Sequence, residues 1–176
     1  MQKWEQKSSE LVFEAGFMKL RKNKCVNPRN SHVGDYYVFH FPDWVTIVPF
    51  TQQGNVVMIR QYRHGSQEYE LELPGGAIEK GEDVVEAGIR ELQEESGGTC
   101  SDYELLGKVR PNPSMQDNWC YTVLAKDVQL GSVRNMDLGE DIEVLEMTPR
   151  ELKQAIKSGE LNNAMMISSL YLADAL

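Results

Sequence analysis

Apolar and polar positions along the chain predict strands over most of its length, interrupted by one helix and followed by two more. The predicted strands are rich in β-branched and aromatic residues and are bounded by turn-forming residues. They occupy residues 9–25, 36–41, 44–50, 55–63, 103–111, 120–128 and 140–148. A shorter strand ends at the Pro-Gly-Gly turn of residues 74–76.

The central helix is predicted over residues 83–96. Val85, Ile89 and Leu92 fall on one stripe at about 100° per residue, and Gly97 follows as a helix-ending signal. The next flank of the wheel carries carboxylates. We therefore expect this helix to pack one face on a sheet and to present an acidic face to a neighbouring cleft.

Two further helices are predicted over residues 149–159, where Pro149 stands in the first turn, and 162–176. The order of elements indicates an α+β domain, an α/β/α sandwich around a mixed β-sheet, preceded by an antiparallel N-terminal β segment. We expect that segment to span residues 1–43 and the main domain to span residues 44–176.

Length and net charge favour a single globular domain and argue against a nucleic-acid-binding protein. The chain has 176 residues, 41% of them hydrophobic, which suits one globular domain with a proper core. Its formal net charge of -9 argues against a stable nucleic-acid partner, which would favour a basic surface. Small phosphorylated substrates are compatible with this charge, because a metal ion and a few arginines can hold them.

Cysteine usage and hydropathy predict a cytoplasmic protein. Cys25, Cys100 and Cys120 form no closely spaced pair, which is typical of reduced thiols. The first ten residues are polar, and no stretch approaches the roughly 20 apolar residues of a membrane span. No membrane association is expected.

Three carboxylates, Glu91, Glu94 and Glu95, are crowded into one turn of the central helix. Like charges at this spacing destabilise a helix by a few tenths of a kcal/mol per pair, roughly, so a bound cation is expected to offset them. Oxygen ligands without nearby His or Cys favour Mg²⁺ or Mn²⁺ over zinc. The alternative is a solvated acidic surface.

The glycine turn, the next glutamate and the RELQEESG ending together resemble the Nudix box. The residues that carry the resemblance are Gly76, Glu82, Arg90, Glu91, Leu92, Glu94, Glu95 and Gly97. Gly98 departs from the pattern, which places a bulky apolar residue there. The resemblance implies a Nudix fold and a metal-dependent pyrophosphatase that hydrolyses a nucleoside diphosphate linked to another group.

The resemblance also implies roles for residues of the box. Arg90 would anchor the loop to the helix through an ion pair with Glu82, and it counts with Glu94 among the catalytic residues. The implied ligands of Mg²⁺ or Mn²⁺ are the backbone carbonyl of Gly75 and the carboxylates of Glu91, Glu95 and Glu94.

The segment RQYRHGSQEYELELPGG, ahead of the box, resembles the branch of the family that cleaves ADP-ribose and other nucleoside diphosphate sugars. Arg60, Arg63, Tyr62 and Trp4 are the predicted substrate-binding residues. Arg60 and Arg63 are separated by an odd number of positions, so at most one should enter a given cleft. Either arginine could instead be ion-paired, and either aromatic could be core. Two alternatives are open for Glu72: it is a further carboxylate beside the metal, or it forms an ion pair with a nearby arginine.

A general base is expected from the acidic loop at residues 137–144. Glu140 is the first candidate, followed by Asp141 and Glu143; the alternative is a solvated loop. The implied reaction is attack of water on a phosphorus of ADP-ribose, ADP-glucose or GDP-mannose type substrates. Its products would be a nucleoside monophosphate and a sugar phosphate.

The resemblance implies that the N-terminal segment builds a homodimer, since exposed strand edges favour such pairing. Two other functions remain open. One is hydrolysis of a different diphosphate, such as a dinucleoside polyphosphate, coenzyme A or capped RNA. The other is a nucleotide-binding module without catalysis, which the intact set of box carboxylates disfavours.

Overall fold

A computed structural model of the chain describes residues 1–131 and 141–176. The strands are β1 (Glu5–Ala15), β2 (Met18–Val26), β3 (Val33–His40), β4 (Trp44–Thr51), β5 (Val56–Arg63), β6 (Glu68–Glu72), β7 (Gly75–Ala77), β8 (Gly98–Thr99), β9 (Asp102–Val109), β10 (Cys120–Leu130) and β11 (Ile142–Met147). The helices are α1 (Val84–Ser96), α2 (Pro149–Ser158) and α3 (Ala164–Leu172).

Contacts divide the chain into two compact units. The first comprises Met1–Pro42 together with Arg110–Trp119. Its core is an antiparallel sheet in the order β1-β2-β3, and Gly16, with φ of 56°, lies in the turn between the first two strands. The loop residue Met115 accepts a hydrogen bond from the Phe39 backbone N–H at 2.8 Å, which joins the loop to β3.

The second unit, Asp43–Val109 and Cys120–Leu176, contains the mixed sheet. Strands β4 and β10 run parallel, whereas the other pairs are antiparallel. The described strands follow the order β11-β5-β4-β10-β8, with β6 beside β5, β7 beside β4 and β9 beside β10.

Helices cover both faces of this sheet, as predicted. On one face, Ala87 and Leu92 of α1 pack with Val45 and Val57. On the other, α2 and α3 pack against alternate residues of the same strands. The buried residues of this second cluster include Val48, Met58, Leu71, Leu152, Ala155, Met166 and Leu170. The alternation of strand side chains between two faces therefore produces the α/β/α arrangement.

Local signals fix the ends of α1. Asp83 is its N-cap and accepts hydrogen bonds from the backbone N–H groups of Val85 and Glu86. Gly97 closes the helix at φ 71°, in the left-handed region. Inside the helix, a Cβ on Gly88 would lie 3.3 Å from Val123 Cγ2, so this glycine allows α1 to approach the sheet closely.

Helix α3 is held to the sheet by a buried hydroxyl cluster. Ser169 Oγ lies 2.6 Å from Thr46 Oγ1 on β4 and 2.9 Å from Thr122 Oγ1 on β10. All three side chains are buried. Because buried hydroxyls need partners, this cluster favours one position of the helix along the strands.

Cys120 lies on β10 with 1% of its surface exposed, and removal from water raises the pKa of its thiol to about 11. All three cysteines are free. Within residues 1–131 and 141–176, none of the helices is long and apolar enough to cross a membrane.

Candidate active site

The turn at Gly75 and Gly76 lies where β7 passes between β4 and the end of α1. A Cβ on Gly75 would collide with the Val45 carbonyl oxygen, and a Cβ on Gly76 would collide with the Glu91 carboxylate. At Gly75 the obstacle is backbone, so only glycine permits this approach, whereas a larger residue at Gly76 would have to displace the Glu91 carboxylate. The turn therefore brings its main chain directly against the acidic helix.

Glu95 holds the turn from the helix side. Only 3% of its surface is exposed, and its Oε2 accepts the backbone N–H of Gly75 at 2.9 Å. Glu91 lies one helical turn earlier and points at Gly76. Two carboxylates of α1 are thus brought to two successive residues of one turn.

Arg90 lies among the remaining acidic groups of the box. Its Nε and Nη2 donate to the two oxygens of Glu82 at 2.9 and 3.1 Å. Its Nη1 donates to Glu91 at 2.8 Å and to Glu94 at 3.1 Å, and Nη2 also reaches the Ala77 carbonyl at 3.2 Å. This one side chain joins the loop to the helix.

These contacts shift the pKa values of Glu82 and Arg90. The hydrogen bonds from Arg90 lower the pKa of Glu82, and the same bonds raise the pKa of Arg90. Both side chains are therefore charged throughout the physiological range. The positive charge of Arg90 offsets part of the repulsion among the carboxylates of α1.

Across the described ranges, no three His, Cys, Asp or Glu side chains are gathered as a metal-binding group. The chemistry of the donors nevertheless fits a hard divalent cation. Glu91, Glu94 and Glu95 offer only oxygen, and the side-chain-free turn at Gly75 leaves the backbone accessible beside them.

Glu72 ends β6 just before this turn and is buried. Its Oε2 accepts from Arg63 Nη2 at 2.5 Å and Nε at 3.0 Å, and from Gln61 Nε2 at 3.2 Å. Its Oε1 accepts from Asn163 Nδ2 at 3.2 Å. Of the two alternatives for Glu72, this structure contains the ion pair with an arginine. Asn163 has no signal in the sequence, because 91 residues separate it from Glu72 and only the fold brings them together.

Arg60 and Arg63 point to different partners, as their spacing on β5 requires. Arg60 pairs with Glu160 at 2.7 Å and with Glu143 at 3.6 Å, whereas Arg63 binds Glu72. Among the described side-chain contacts, it is therefore Arg63 that is tied to Glu72, just before the glycine turn.

The two aromatic candidates lie in different units. Tyr62 is exposed and contacts the rings of His64 and Tyr69 edge-on, at centroid distances of 5.3 and 5.6 Å. Trp4 is also exposed and contacts Tyr36 edge-on at 5.6 Å. Neither is part of the core, so both rings keep accessible surface.

Glu140, the first candidate for the general base, lies outside the described residues. Its neighbour Asp141 accepts a hydrogen bond from the Tyr69 hydroxyl at 3.0 Å, and this contact raises the pKa of Tyr69. Glu143 is exposed and faces Arg60, while Ile142 is buried, because successive side chains of a strand point to opposite faces.

Gly98, which departs from the box pattern, is buried beyond the end of α1. A Cβ there would lie 2.9 Å from Ser96 Oγ and 3.0 Å from Leu92 Cδ1. The side chains of the helix itself occupy the space that a larger residue would need. The departure therefore changes packing and leaves the charged groups in place.

Known proteins and a family profile match most of the length of this chain. A NUDIX domain profile matches residues 40–168. A methanol dehydrogenase activator of Bacillus methanolicus is 27% identical over 160 residues, covering 90% of this chain and 86% of that protein. An ADP-ribose pyrophosphatase of Bacillus subtilis (strain 168) is 27% identical over 173 residues, covering 96% and 93%.

A solved structure of an ADP compounds hydrolase has a TM-score of 0.87 and 26% identity, covering 99% of this chain and 94% of its own. The family prediction made from residues 76–98 is thus confirmed by a match over most of the chain and by the fold. The chain belongs to the Nudix family, and it is similar to an ADP-ribose pyrophosphatase and to an ADP compounds hydrolase.

Proposed function

We propose that this protein hydrolyses the diphosphate bond of nucleoside diphosphate sugars, with ADP-ribose as the first candidate and ADP-glucose and GDP-mannose as further members of the class. The products are a nucleoside monophosphate and a sugar phosphate. The observation that carries the proposal is the meeting of Glu91 and Glu95 with the turn at Gly75 and Gly76. The names of the Bacillus subtilis relative and of the solved structure support the choice of ADP compounds.

The site residues would hold Mg²⁺ or Mn²⁺ through the oxygens of Gly75, Glu91, Glu94 and Glu95. When bound, such an ion neutralises diphosphate charge and lowers the pKa of a coordinated water. The donor set contains no sulfur or imidazole, which supports a hard cation.

The side chains of the protein supply the remaining functions. Arg90 keeps the loop and α1 in register and partly compensates the acidic cluster. Arg63, which is paired with Glu72, is our first candidate to donate to phosphate oxygens, since a guanidinium presents a planar fork of donors. Arg60 is a second candidate for that contact, and Tyr62 and Trp4 are candidates for stacking on the base.

Glu140 is proposed as the general base that takes a proton from the attacking water. The support comes from the sequence, where Glu140 stands in an acidic segment two positions before Ile142, the first residue of β11. A Glu140→Gln variant should retain its fold and lose about 10²-fold or more in kcat. Unchanged turnover would remove this residue as the base.

The test of the function is a substrate panel. Purified protein with Mg²⁺ is incubated separately with ADP-ribose, ADP-glucose, GDP-mannose, UDP-glucose, diadenosine polyphosphates, coenzyme A and 8-oxo-dGTP, and products are identified by mass. Formation of a monophosphate and a sugar phosphate, abolished by a chelator and restored by excess Mg²⁺, is the expected result. Cleavage of another compound alone would overturn the substrate class.

A second candidate function is activation of a dehydrogenase, favoured by the name of the Bacillus methanolicus relative. It is tested by adding the protein to a purified alcohol dehydrogenase and measuring the turnover of that enzyme. A Glu95→Gln variant separates hydrolysis-dependent activation from activation by contact.

We also propose a homodimer built through the N-terminal sheet. Leu11, Val12, Phe13 and Phe17 are exposed apolar residues on or beside β1, and such surface favours association. The free state of all three cysteines supports a reducing compartment, for which we propose the cytoplasm.

A further inference from the structure

The Glu72 carboxylate is buried and accepts hydrogen bonds from two parts of the fold, β5 and the residue that precedes α3. Its surface is 2% exposed. The donors to Oε2, Gln61 and Arg63, come from β5, whereas Asn163, which donates to Oε1, immediately precedes α3. A buried carboxylate needs hydrogen bonds on both oxygens, so each of these groups constrains the orientation of the others.

The β-sheet explains why two of the donors converge. Gln61 and Arg63 are two positions apart and share one face of β5. Glu72 lies directly opposite Ile59, on that same face. Asn163 is different, because it comes from the C-terminal part of the chain, far from the box in sequence.

Helix α3 contacts the approach to the glycine turn at two consecutive residues. Asn163 Nδ2 donates to Glu72, and Met166 Sδ accepts the backbone N–H of Leu73 at 3.2 Å. Farther along, Ser169 fixes the helix to β4 and β10. The residues that follow, 74 and 75, lead into the contact between the Gly75 amide and Glu95.

We propose that Asn163 is a positioning residue for the diphosphate site, acting through Glu72 on the Arg63 guanidinium and on the turn at Gly75. The expected effect of Asn163 on kcat rests on the function proposed above. The expected effect of Asn163 on the backbone turn at Gly75 does not depend on that function. Loss of the Asn163 donor leaves Oε1 of a buried carboxylate without that hydrogen bond. The carboxylate then reorients, and Arg63 and the turn move with it. Displacements of about 1 Å at such sites cost roughly 100-fold in rate.

Asn163 also caps α3, since its Oδ1 accepts the backbone N–H of Met165 at 3.0 Å. The variants must separate the two roles. Asn163→Ser keeps a capping oxygen but is too short to reach Glu72, and Asn163→Asp keeps the cap while placing a second carboxylate beside it. Asn162→Ala is the matched control, because Asn162 donates to the Gly159 carbonyl and not to Glu72.

The first measurement is steady-state kinetics on the full chain with Mg²⁺ and its best panel substrate. We expect kcat to fall about 10-fold in Asn163→Ser and about 100-fold in Asn163→Asp, with KM within about threefold of wild type. In a Glu72→Gln background, Asn163→Asp should cost less than about threefold, because the like-charge contact is gone. Equal losses in both backgrounds, or equal losses in Asn162→Ala, would overturn the proposal.

The second measurement needs no substrate. Amide hydrogen exchange of residues 69–77 should become faster in both Asn163 variants and remain at the wild-type rate in Asn162→Ala. Unchanged exchange together with unchanged kcat overturns the positioning role. If exchange responds as expected but wild type cleaves no compound of the panel, the proposed function fails while the positioning of the turn by Asn163 stands.

Discussion

Arg90 connects three carboxylates that would otherwise repel one another across the loop and the helix. The bond to Glu82 is largely shielded from water, with side-chain exposures of 29% for Arg90 and 17% for Glu82. Glu82 also stabilises the loop before α1, because its Oε2 accepts the Glu79 backbone N–H.

Replacing Glu82 by Gln tests this connection through its pH dependence. The bond from Arg90 lowers the pKa of Glu82 in the folded state, below an unfolded value of about 4.3. The stabilisation is therefore present above that pH and is lost as the pH falls through the folded-state pKa. At pH 7 the free energy of unfolding of Glu82→Gln should be lower than that of wild type by about 1–2 kcal/mol.

The measurement is urea unfolding at pH 7 and at intervals down to pH 3, and the difference between the two proteins should shrink as the pH falls below the unfolded-state pKa of Glu82. Glu79→Gln, which alters an exposed carboxylate of the same loop, is the control and should track wild type. A difference that stays constant with pH would contradict the ion pair as its source.

The second prediction for a single residue concerns Glu95 and its proposed role as a metal ligand. In Glu95→Gln the side-chain carbonyl still accepts the Gly75 N–H, so the fold is retained, but one negative charge of the proposed metal site is lost. We expect kcat/KM to fall at least about 100-fold, with an unfolding temperature close to that of wild type. Full activity in a folded Glu95→Gln protein, measured on the best panel substrate, would refute the assignment of Glu95 as a metal ligand.

At the scale of elements, the sequence predicts those parts of the fold whose signals are local. Gly97 ends α1 as predicted, the helix begins one residue after the predicted start because Asp83 is its N-cap, and the strand pattern on both sides of the box agrees with the mixed sheet. The box itself is a local motif, so its residues could be recognised before their contacts were known.

Other features depend on contacts between distant parts of the chain, and these could not be predicted. Residues 9–25 form one strand-like run, yet the structure turns at Gly16 and pairs β1 with β2, because pairing replaces exposed backbone with hydrogen bonds. Helix α3 is shorter than its apolar pattern, ending at Leu172. The bond between Asn163 and Glu72 likewise exists only in the folded chain.

The attachment of α3 to the sheet gives the element-scale prediction. In Ser169→Ala, the buried hydroxyls of Thr46 and Thr122 lose their shared partner, which should lower the free energy of unfolding by about 1–3 kcal/mol. Ser168→Ala is the control, because the Ser168 hydroxyl donates to the Ala164 carbonyl within the same helix. Equal unfolding midpoints in urea for the two variants would show that the hydroxyl cluster does not hold the helix.

At the scale of the whole molecule, the proposed dimer predicts a particle of about 40 kDa, twice the 20.0 kDa chain, in light scattering at micromolar concentration. Phe13 is 51% exposed on β1 and is the residue to change. Phe13→Glu should give a monomer, because a charge would have to be buried in the interface. A wild-type monomer, or a dimer unaffected by this substitution, would contradict the proposed surface.

The burial of Cys120 has a consequence for following how the protein unfolds. Its thiol is enclosed within β10 and largely protonated at neutral pH, so an alkylating reagent should reach it only when the larger sheet opens. Cys25 lies on β2 in the other unit. With Cys100 replaced by Ser, the chain would carry one native chemical reporter in each unit. Because Cys25 is partly exposed, the dependence of each labelling rate on urea concentration, and not the rates alone, would then show whether the units open together or separately.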